Sequence, residues 1–300
     1  MAYMVLVLNG VTKNISKRVI LNNISFSLNE GEVVGFVGPN GAGKTTTLKI
    51  CVGLITSTSG DVLVNNYSIR NEREKALRFM GVLLDNDGFY NNISGYSNLK
   101  LIANIFNIKK QEILDAVEKV KLSNRINDKV KTYSLGMIQR LCLAKIAMCK
   151  PKVVLMDEPL NGIDYEGTLL FRKLILDLKN QGCAIIISSH LLSELEKIVD
   201  RVIFIKSGKI IRDTSIEDSL CLCKVSFLSK DLIYKFIERF KSECLNYKVE
   251  NNVLKIKCDE NTLSTINNYF AHLNVSSSQI KVSNSLEEEY LDILGENIIE

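Results

Sequence analysis

The chain has 300 residues, of which 46% are hydrophobic and 24% charged, and its formal net charge is +4. This composition is typical of a globular protein with one large and one small domain, or two of middling size. No apolar run approaches the ~18–20 residues that cross a bilayer, so we expect any membrane role to come through a partner. The N-terminus lacks the features of a signal peptide, and secretion is not expected.

The cysteine pattern and the charge distribution indicate which cellular environment and which partners to expect. The eight cysteines are scattered without a CxxC pair, which favours reduced thiols in a cytosolic protein over a disulfide framework or a metal site. Basic residues predominate in residues 1–215 and acidic residues in 216–300. No cluster of five or six basic residues is present, so nucleic acid is not an expected partner.

The first predicted elements are strands, at residues 3–8, 19–21 running into 24–28, and 33–37. Residues 38–45 then read Gly-Pro-Asn-Gly-Ala-Gly-Lys-Thr and fit the phosphate-loop pattern G-x-x-x-x-G-K-[ST] without a mismatch. A helix is predicted from residue 46, which gives the strand–loop–helix context that the pattern needs. The sequence therefore predicts a nucleoside triphosphate site.

The known chemistry of phosphate loops gives an expected role to each residue of this segment. Glycines let backbone N–H groups turn inward around a polyphosphate, and the helix N-terminus adds partial positive charge. Lys44 is expected to reach the β- and γ-phosphates, and the Thr45 hydroxyl to ligate Mg²⁺. The predicted nucleotide-binding residues of this segment are Gly38, Pro39, Asn40, Gly41, Ala42, Gly43, Lys44, Thr45 and Thr46.

Further along, strands are predicted at 61–64 and 79–84, with a turn at Asn65-Asn66 between them. Residues 93–149 have helical periodicity, and strand–helix alternation then resumes through strands at 152–156, 183–188 and 201–205. This order predicts a mostly parallel sheet with a helical insertion at about 86–150. Helices are expected at 165–179 and 191–199, and residues 210–217 are expected to lead out of the unit.

Residues 216–300 have a different pattern of predicted elements. Strands are predicted at 225–228, 245–249, 253–257 and 280–282, and helices at 231–241 and 262–272. The order β-α-β-β-α-β predicts a small ferredoxin-like accessory domain, followed by a helix from Ser285. We therefore expect an α/β protein with two domains, residues 1–215 and 216–300.

Two carboxylates end the strand at 152–156. Asp157 is expected to hold Mg²⁺ beside the phosphate loop, and Glu158 to polarise a water molecule towards the γ-phosphate. Without the loop, the Asp-Glu-Pro run could simply end a strand.

Together with three other segments, these motifs resemble the ATP-binding subunit of an ABC transporter over roughly residues 5–215. Residues 133–140, Tyr-Ser-Leu-Gly-Met-Ile-Gln-Arg, resemble the family signature in the form common in ABC-2 and bacitracin/lantibiotic-type exporters. Residues 160–164 resemble the D-loop, and residues 188–190 end in a candidate switch histidine. The resemblance implies that Ser134 and Gly136 bind the γ-phosphate held by an opposite subunit, and that His190 contacts the γ-phosphate.

Three positions depart from the family pattern. Ile15 occupies the position where most members have an aromatic residue that stacks on adenine. Met137 and Ile138 replace the usual Gln and a polar residue of the signature. Asp85 occupies the Q-loop position where Gln is usual. The bacitracin/lantibiotic subgroup often carries Glu at that position. The resemblance therefore makes Asp85 a third candidate for contact with Mg²⁺ or the attacking water, in a catalytic set with Glu158 and His190.

The resemblance also implies partners and a location. One set of motifs per chain requires a homodimer or pairing with a second ATPase subunit, and transport requires an integral membrane permease. The expected location is cytoplasmic, peripheral on the inner face of the membrane, with ATP and Mg²⁺ as cofactors. The leading function is an ATPase that drives export, for antimicrobial-peptide or drug export or self-protection. The alternatives are a soluble non-transport ABC ATPase and a nucleotide-binding regulator with little hydrolysis.

A last expectation concerns docking of the permease. The aromatic residues Phe89, Tyr90 and Tyr96 follow the Q-loop and are the predicted lining of the docking surface. The alternative is that these rings pack inside the helical insertion.

Overall fold

A computed structural model of the chain describes residues 3–84, 88–189, 192–216, 221–226, 230–240, 246–250, 253–258, 260–272, 280–284 and 290. The chain divides into two compact units, Met1–Asp213 and Thr214–Glu300. The predicted helix from Ser285 lies outside the described residues.

The first unit is built on two sheets. Its strands in chain order are β1 (Met4–Ile15), β2 (Arg18–Asn29), β3 (Val33–Val37), β4 (Ser59–Val64), β5 (Tyr67–Ser68), β6 (Met80–Leu83), β7 (Val153–Asp157), β8 (Ala184–Ser188), β9 (Arg201–Lys206) and β10 (Lys209–Ser215). The antiparallel sheet has the order β2-β1-β4-β5, and the six-stranded sheet has the order β10-β9-β3-β8-β7-β6.

The six-stranded sheet is parallel from β9 to β6. Strands β3, β7 and β8 are buried along their whole length, as expected where both faces of a parallel sheet are covered. Their carboxyl ends lie at one edge, and that edge carries the phosphate loop and the Asp157-Glu158 pair. The predicted sheet of mostly parallel strands is confirmed.

The first unit has seven α-helices among its described residues, and three of them form the helical insertion. They are α1 (Lys44–Cys51), α2 (Arg73–Leu77), α3 (Gly95–Phe106), α4 (Lys110–Lys119), α5 (Leu135–Cys149), α6 (Tyr165–Asn180) and α7 (Leu192–Leu195). Helices α3, α4 and α5 form the segment predicted to be helical. Helix α5 is amphipathic only weakly because it is covered over much of its surface, by α3, α4 and α6 among others.

Strand β5 and helix α2 are not among the predicted elements, and β10 and α7 differ from the prediction made for their segments. The segment from residue 209 forms the edge strand β10 rather than a connection, although all seven of its residues are exposed or half-buried in mixed order. Its alternation is therefore too weak to identify a strand. The helix predicted at 191–199 is only four residues long in α7, because the chain turns at residues 196–198 before β9.

The turn at Asn65-Asn66 agrees with its sequence signal. Both residues have positive φ, 47° and 67°, as a two-residue type I′ hairpin loop requires. The turn joins β4 to β5, and Leu63 and Val64 pair with Ser68 and Tyr67 across it.

The second unit alternates strands and helices in the order β-α-β-β-α-β. Its elements are β11 (Cys221–Ser226), α8 (Lys230–Phe240), β12 (Asn246–Glu250), β13 (Val253–Cys258), α9 (Glu260–His272) and β14 (Ile280–Asn284). The four strands form one antiparallel sheet with the order β12-β13-β11-β14. Phe236 of α8 and Phe270 of α9 stack at 5.1 Å within a core that includes Val225, Leu254 and Ile256.

Within the insertion, the buried Asn98 of α3 fixes the loop before the helix. Its Oδ1 accepts from the Tyr90 N–H at 2.8 Å, and its Nδ2 donates to the carbonyls of Tyr90 at 3.1 Å and Ser94 at 3.0 Å. Ser94 in turn caps α3 by accepting from the Ser97 N–H. A single side chain therefore satisfies three backbone groups of a segment that has no regular structure.

We expect Asn98→Ala to lower the free energy of unfolding by about 1–3 kcal/mol, because the Tyr90 N–H loses its partner and the carbonyls of Tyr90 and Ser94 each lose one of two donors. Urea unfolding of the full chain measures this change. The control is Asn104→Ala, an exposed asparagine on the same helix, which should change the midpoint little. Equal shifts for the two variants would contradict the role of Asn98.

Candidate functional site

The phosphate loop lies between β3 and α1, where close packing holds its backbone. A Cβ at Gly38 would overlap the carbonyl oxygen of Ile205 on β9, and one at Gly43 would lie 2.5 Å from Leu21 Cδ2. Gly43 also has φ +112°, which side-chain-bearing residues rarely adopt. These two glycines are required by space and by backbone conformation, which explains the pattern in terms of this fold.

The back of the loop is fastened to the turn between β9 and β10. The Gly208 N–H donates to the Ala42 carbonyl at 2.9 Å, and the Gly208 carbonyl accepts from the Asn22 N–H at 2.8 Å. The front of the loop is open, since Asn40 and Gly41 are exposed and no atom lies within 4 Å of a Cβ at Gly41. The loop therefore presents a fixed backbone to the outside.

Lys44 is buried, with 7% of its surface exposed, and points back along the loop. Its Nζ donates to the Gly38 carbonyl at 2.6 Å and to the Pro39 carbonyl at 3.4 Å. Burial lowers the pKa of the Lys44 ammonium from its ordinary value, and the carboxylates of Glu158 and Asp157 oppose that shift. A bound phosphate anion would offset the cost of burying this cation.

The carboxylate of Asp157, 8% exposed, connects the loop to the centre of the sheet. Its Oδ2 accepts from the Thr45 hydroxyl at 2.6 Å, and its Oδ1 accepts from the Ser188 hydroxyl. Thr45 is the second residue of α1, and Ser188 ends β8, the strand between β3 and β7. Asp157 is thus fixed in orientation by hydroxyl donors from two neighbouring elements.

Glu158 follows Asp157 with a left-handed backbone, φ 47°. Its N–H donates to Ser188, to the carbonyl oxygen at 3.1 Å and to Oγ at 3.0 Å. The reversal turns the Glu158 side chain towards the loop, and its Oε1 lies 4.0 Å from Lys44 Nζ. The structure thus brings Lys44, Thr45, Asp157 and Glu158 together at one edge of the sheet.

Ser188 is a residue that sequence reasoning quoted but gave no role. It donates to Asp157 and accepts from Glu158, so it sets the position of both carboxylates. The available signal was a buried strand ending in Ser, adjacent in the predicted sheet to a strand ending in Asp-Glu. That signal becomes specific only when the strand order is known.

The signature segment begins α5. The Ser134 hydroxyl accepts from the Met137 N–H at 3.3 Å and so caps the helix. A Cβ at Gly136 would meet nothing within 4 Å, and the Leu135 side chain is 56% exposed. The N-terminus of α5 therefore faces open space, where its partial positive charge can reach an external anion.

The D-loop runs from β7 to α6. Asp164 caps α6 by accepting from the Gly167 N–H at 2.7 Å, and the Asn161 N–H donates to the Glu158 carbonyl at 3.2 Å. Asp85 and His190 lie outside the described residues. Ile15, at the tip of the β1–β2 hairpin, is 53% exposed and pairs with Arg18, and Val19, which pairs with Asn14, is 59% exposed.

The donor set fits a hard divalent cation that shares its ligands with a nucleotide. A Thr hydroxyl and an Asp carboxylate, 2.6 Å apart, are oxygen ligands of the kind that Mg²⁺ prefers, and phosphate oxygens and water would supply the rest. In the described part of the chain, no group of three or more His, Cys, Asp or Glu could hold a metal ion by itself. Among the same residues, no helix is both long and apolar enough to cross a membrane.

Phe89 and Tyr90, two of the three aromatic residues predicted to line a docking surface, differ in burial. Phe89 is buried at 9% exposure under the Lys145 ammonium, which lies 5.3 Å from the ring centroid. Tyr90 is 67% exposed, although Asn98 holds its backbone. The prediction is wrong for Phe89, because this ring faces α5 and packs inside the insertion.

Comparisons with known proteins agree with this geometry. Residues 21–161 match the family model described as ABC transporter. The chain is 40% identical over 301 residues to YhcH, an uncharacterized ABC transporter ATP-binding protein of Bacillus subtilis (strain 168), with 97% of this chain and 96% of YhcH covered.

Two relatives have a transport activity in their names. The lantibiotic transport ATP-binding protein SrtF of Streptococcus pyogenes is 38% identical, with 71% of this chain and 91% of SrtF covered. The bacitracin transport ATP-binding protein BcrA of Bacillus licheniformis is 37% identical, with 68% of this chain and 67% of BcrA covered.

Solved structures share the fold at lower identity. An ATP-binding subunit of an ABC transporter superposes with a TM-score of 0.68 at 22% identity over 71% of this chain and 91% of that one. A dimeric post-hydrolysis state of an ATP-binding cassette bound to ADP and Pi superposes with a TM-score of 0.64 at 21% identity, covering 70% and 98%. With a relative matched over almost its whole length and the catalytic edge in place, the chain belongs to the ABC transporter ATP-binding family and is an ATPase subunit of that class.

Proposed function

We propose that this ATPase subunit drives an exporter of antimicrobial peptides or related drugs. The observation that carries the proposal is the cluster of Lys44, Thr45, Asp157 and Glu158 at the open front of the phosphate loop. It has a cation for phosphate, oxygen ligands for Mg²⁺ and a carboxylate for water. The choice of substrate class is supported by the names of SrtF and BcrA.

ATP binds, in this proposal, along residues 38–46. The backbone N–H groups and the α1 N-terminus contact the phosphates, and Lys44 exchanges its carbonyl partners for β- and γ-phosphate oxygens. Mg²⁺ is held by Thr45 and Asp157, with Asp85 as a third candidate ligand. The aliphatic side chain of Ile15 is exposed where the family resemblance places an aromatic residue on adenine.

Hydrolysis is assigned to Glu158 as general base, with His190 and Asp85 as further catalytic residues. Support for Glu158 comes from its left-handed backbone and from the two bonds to Ser188, which together aim its carboxylate at the loop. A positioned base is worth typically 10²–10⁴ in rate.

The catalytic unit is proposed to be a dimer, either of this chain or with a similar subunit. The support is the uncovered N-terminus of α5, with Ser134, Gly136 and the exposed Leu135. In a head-to-tail pair, this end of one chain would close the phosphate loop of the other and bind the γ-phosphate.

We also propose the division into an ATPase domain, residues 1–215 with its helical insertion at about 86–150, and an accessory domain, residues 216–300. The support for a ferredoxin-like accessory domain is the β-α-β-β-α-β order with strand order β12-β13-β11-β14.

Docking of an integral membrane permease is proposed on the insertion, at Tyr90. This ring is exposed on a backbone that Asn98 fixes, so little conformational entropy is lost when a partner covers it. Leu101 and Ile105 of α3 are further exposed apolar residues of the insertion, at 46% and 75% exposure. The subunit would then be peripheral on the inner face of the membrane through its permease.

The transport function is tested in cells that produce the chain together with its permease. We expect resistance to a lantibiotic or to bacitracin to rise, and Glu158→Gln to abolish the increase. If hydrolysis by the purified complex is normal but no peptide antibiotic is exported, the substrate class is wrong.

We expect Lys44→Ala to lower ATP affinity about 100-fold, because the phosphates lose a buried charge-assisted donor. Titration calorimetry of the full chain measures the affinity. The control is Lys119→Ala, which removes the same charge from an exposed position on α4. Unchanged affinity in Lys44→Ala would contradict the proposed nucleotide site.

We expect Glu158→Gln to lower ATP turnover by roughly 10²–10⁴ while ATP affinity stays within a factor of two. An ATP-bound dimer should then accumulate and elute earlier from a size-exclusion column. Glu118→Gln, an exposed position on α4, is the control. Turnover within a factor of two of the parent would contradict the general-base role.

We expect Tyr90→Ala to weaken binding of the permease at least tenfold, with ATP hydrolysis by the free subunit unchanged. Pull-down of the permease at graded concentrations measures this binding. The control is Tyr234→Ala on α8, since Tyr234 has the same 67% exposure. If the two variants bind the permease equally well, the docking surface lies elsewhere.

A further inference from the structure

The signature segment and the D-loop of one chain contact each other directly. Gly162 of the D-loop has φ +73°, and a Cβ there would lie 2.7 Å from Leu135 Cδ2. Beside this contact, Gln139 Nε2 on α5 donates to the Asn161 carbonyl at 3.0 Å. The start of α5 thus rests on the D-loop through one apolar contact and one hydrogen bond.

The same peptide segment is bonded to the candidate general base. The Asn161 N–H donates to the Glu158 carbonyl at 3.2 Å, and the Asn161 carbonyl accepts from Gln139. Two hydrogen bonds therefore lead from the backbone of Glu158 to a side chain on α5. Hydrogen bonds in such a chain polarise one another, and each fixes the position of the next group.

The chemistry of Gln139 is unusual for its position. Its Oε1 is buried and has no hydrogen-bond partner among the residues that the structure describes. A buried acceptor without a partner is unfavourable, and an aliphatic side chain of similar size would not carry that cost. The bond from Nε2 to Asn161 is the one contact here that needs an amide.

Because Gln139 lies near the start of α5, its bond to Asn161 can affect the position of the helix N-terminus. Ser134 caps α5, and Gln139 lies five residues further on, about 7.5 Å along the axis. A shift of the Asn161 peptide unit would be carried through a rigid helical turn to Ser134 and Gly136 at the open end. That end is the part of the chain proposed to bind the nucleotide of the opposite subunit.

We propose that Gln139 is a positioning residue that couples the two ATP sites of the dimer. It links the backbone of Glu158, which serves the ATP of its own chain, to the signature end of α5, which serves the ATP of the partner. The inference rests on the proposed function, since it needs two composite sites. Gln139 touches neither nucleotide.

The experiment compares Gln139→Leu and Gln139→Glu with the parent full chain. Leu keeps the volume and removes the donor, while Glu keeps the shape and places an oxygen against the Asn161 carbonyl. The ATP dependence of steady-state hydrolysis is measured for each. We expect a parent Hill coefficient near two to fall towards one in both variants, and kcat to fall about 3- to 30-fold.

Two further measurements separate coupling from structure. ATP affinity of the single chain should stay within a factor of two, and the thermal midpoint of Gln139→Leu should not fall, because the unpaired Oε1 is removed. Gln111→Leu is the matched control, since the exposed Gln111 of α4 donates to the nearby Asp115 side chain at 2.8 Å.

The outcomes are distinct. A cooperative parent with equally cooperative variants overturns the role of Gln139 and leaves the proposed function intact. A parent that hydrolyses ATP without cooperativity overturns the inference alone, since the proposed function is decided separately by the resistance assay. A large fall in the thermal midpoint of both variants means that Gln139 only holds the fold, and the inference is wrong.

Discussion

The carboxylate of Asp157 is the point on which the catalytic edge depends. It receives hydroxyl donors from Thr45 at the start of α1 and from Ser188 at the end of β8. Because Asp157 ends β7, the phosphate loop and two parallel strands are joined at one group. The neighbouring residue Glu158 takes its left-handed backbone from the same Ser188. Ser188 therefore helps to fix both Asp157 and Glu158, the proposed general base.

The phosphate loop and the carboxylate pair could be predicted from the sequence, because each is a contiguous motif with one structural context. Lys44 and Thr45 follow a buried strand, and the glycines have positions that only glycine can fill. Ser188 could not be assigned in this way. Its role depends on β8 lying between β3 and β7, a neighbour relation that the chain order alone does not give.

The misjudged positions have a common physical reason. Phe89 and Tyr90 are adjacent aromatic residues with the same sequence signal, yet one ring lies under Lys145 and the other faces outward. Strand β10 has too little burial to leave an alternating pattern. In both cases the burial of the side chains depends on tertiary contacts, and the local sequence does not specify those contacts. Asp85 and His190 rest on the family resemblance alone.

The second unit is the part of the chain proposed to be an accessory domain. The match to SrtF covers 91% of that protein but only 71% of this chain, whereas the match to YhcH covers 97% of this chain. A protein named for lantibiotic transport therefore has almost no counterpart to the remaining residues. The second unit also has a core of its own, centred on Phe236 and Phe270. The first unit carries the groups proposed for ATP chemistry, and the match to YhcH shows that a relative of nearly the same length extends across the second.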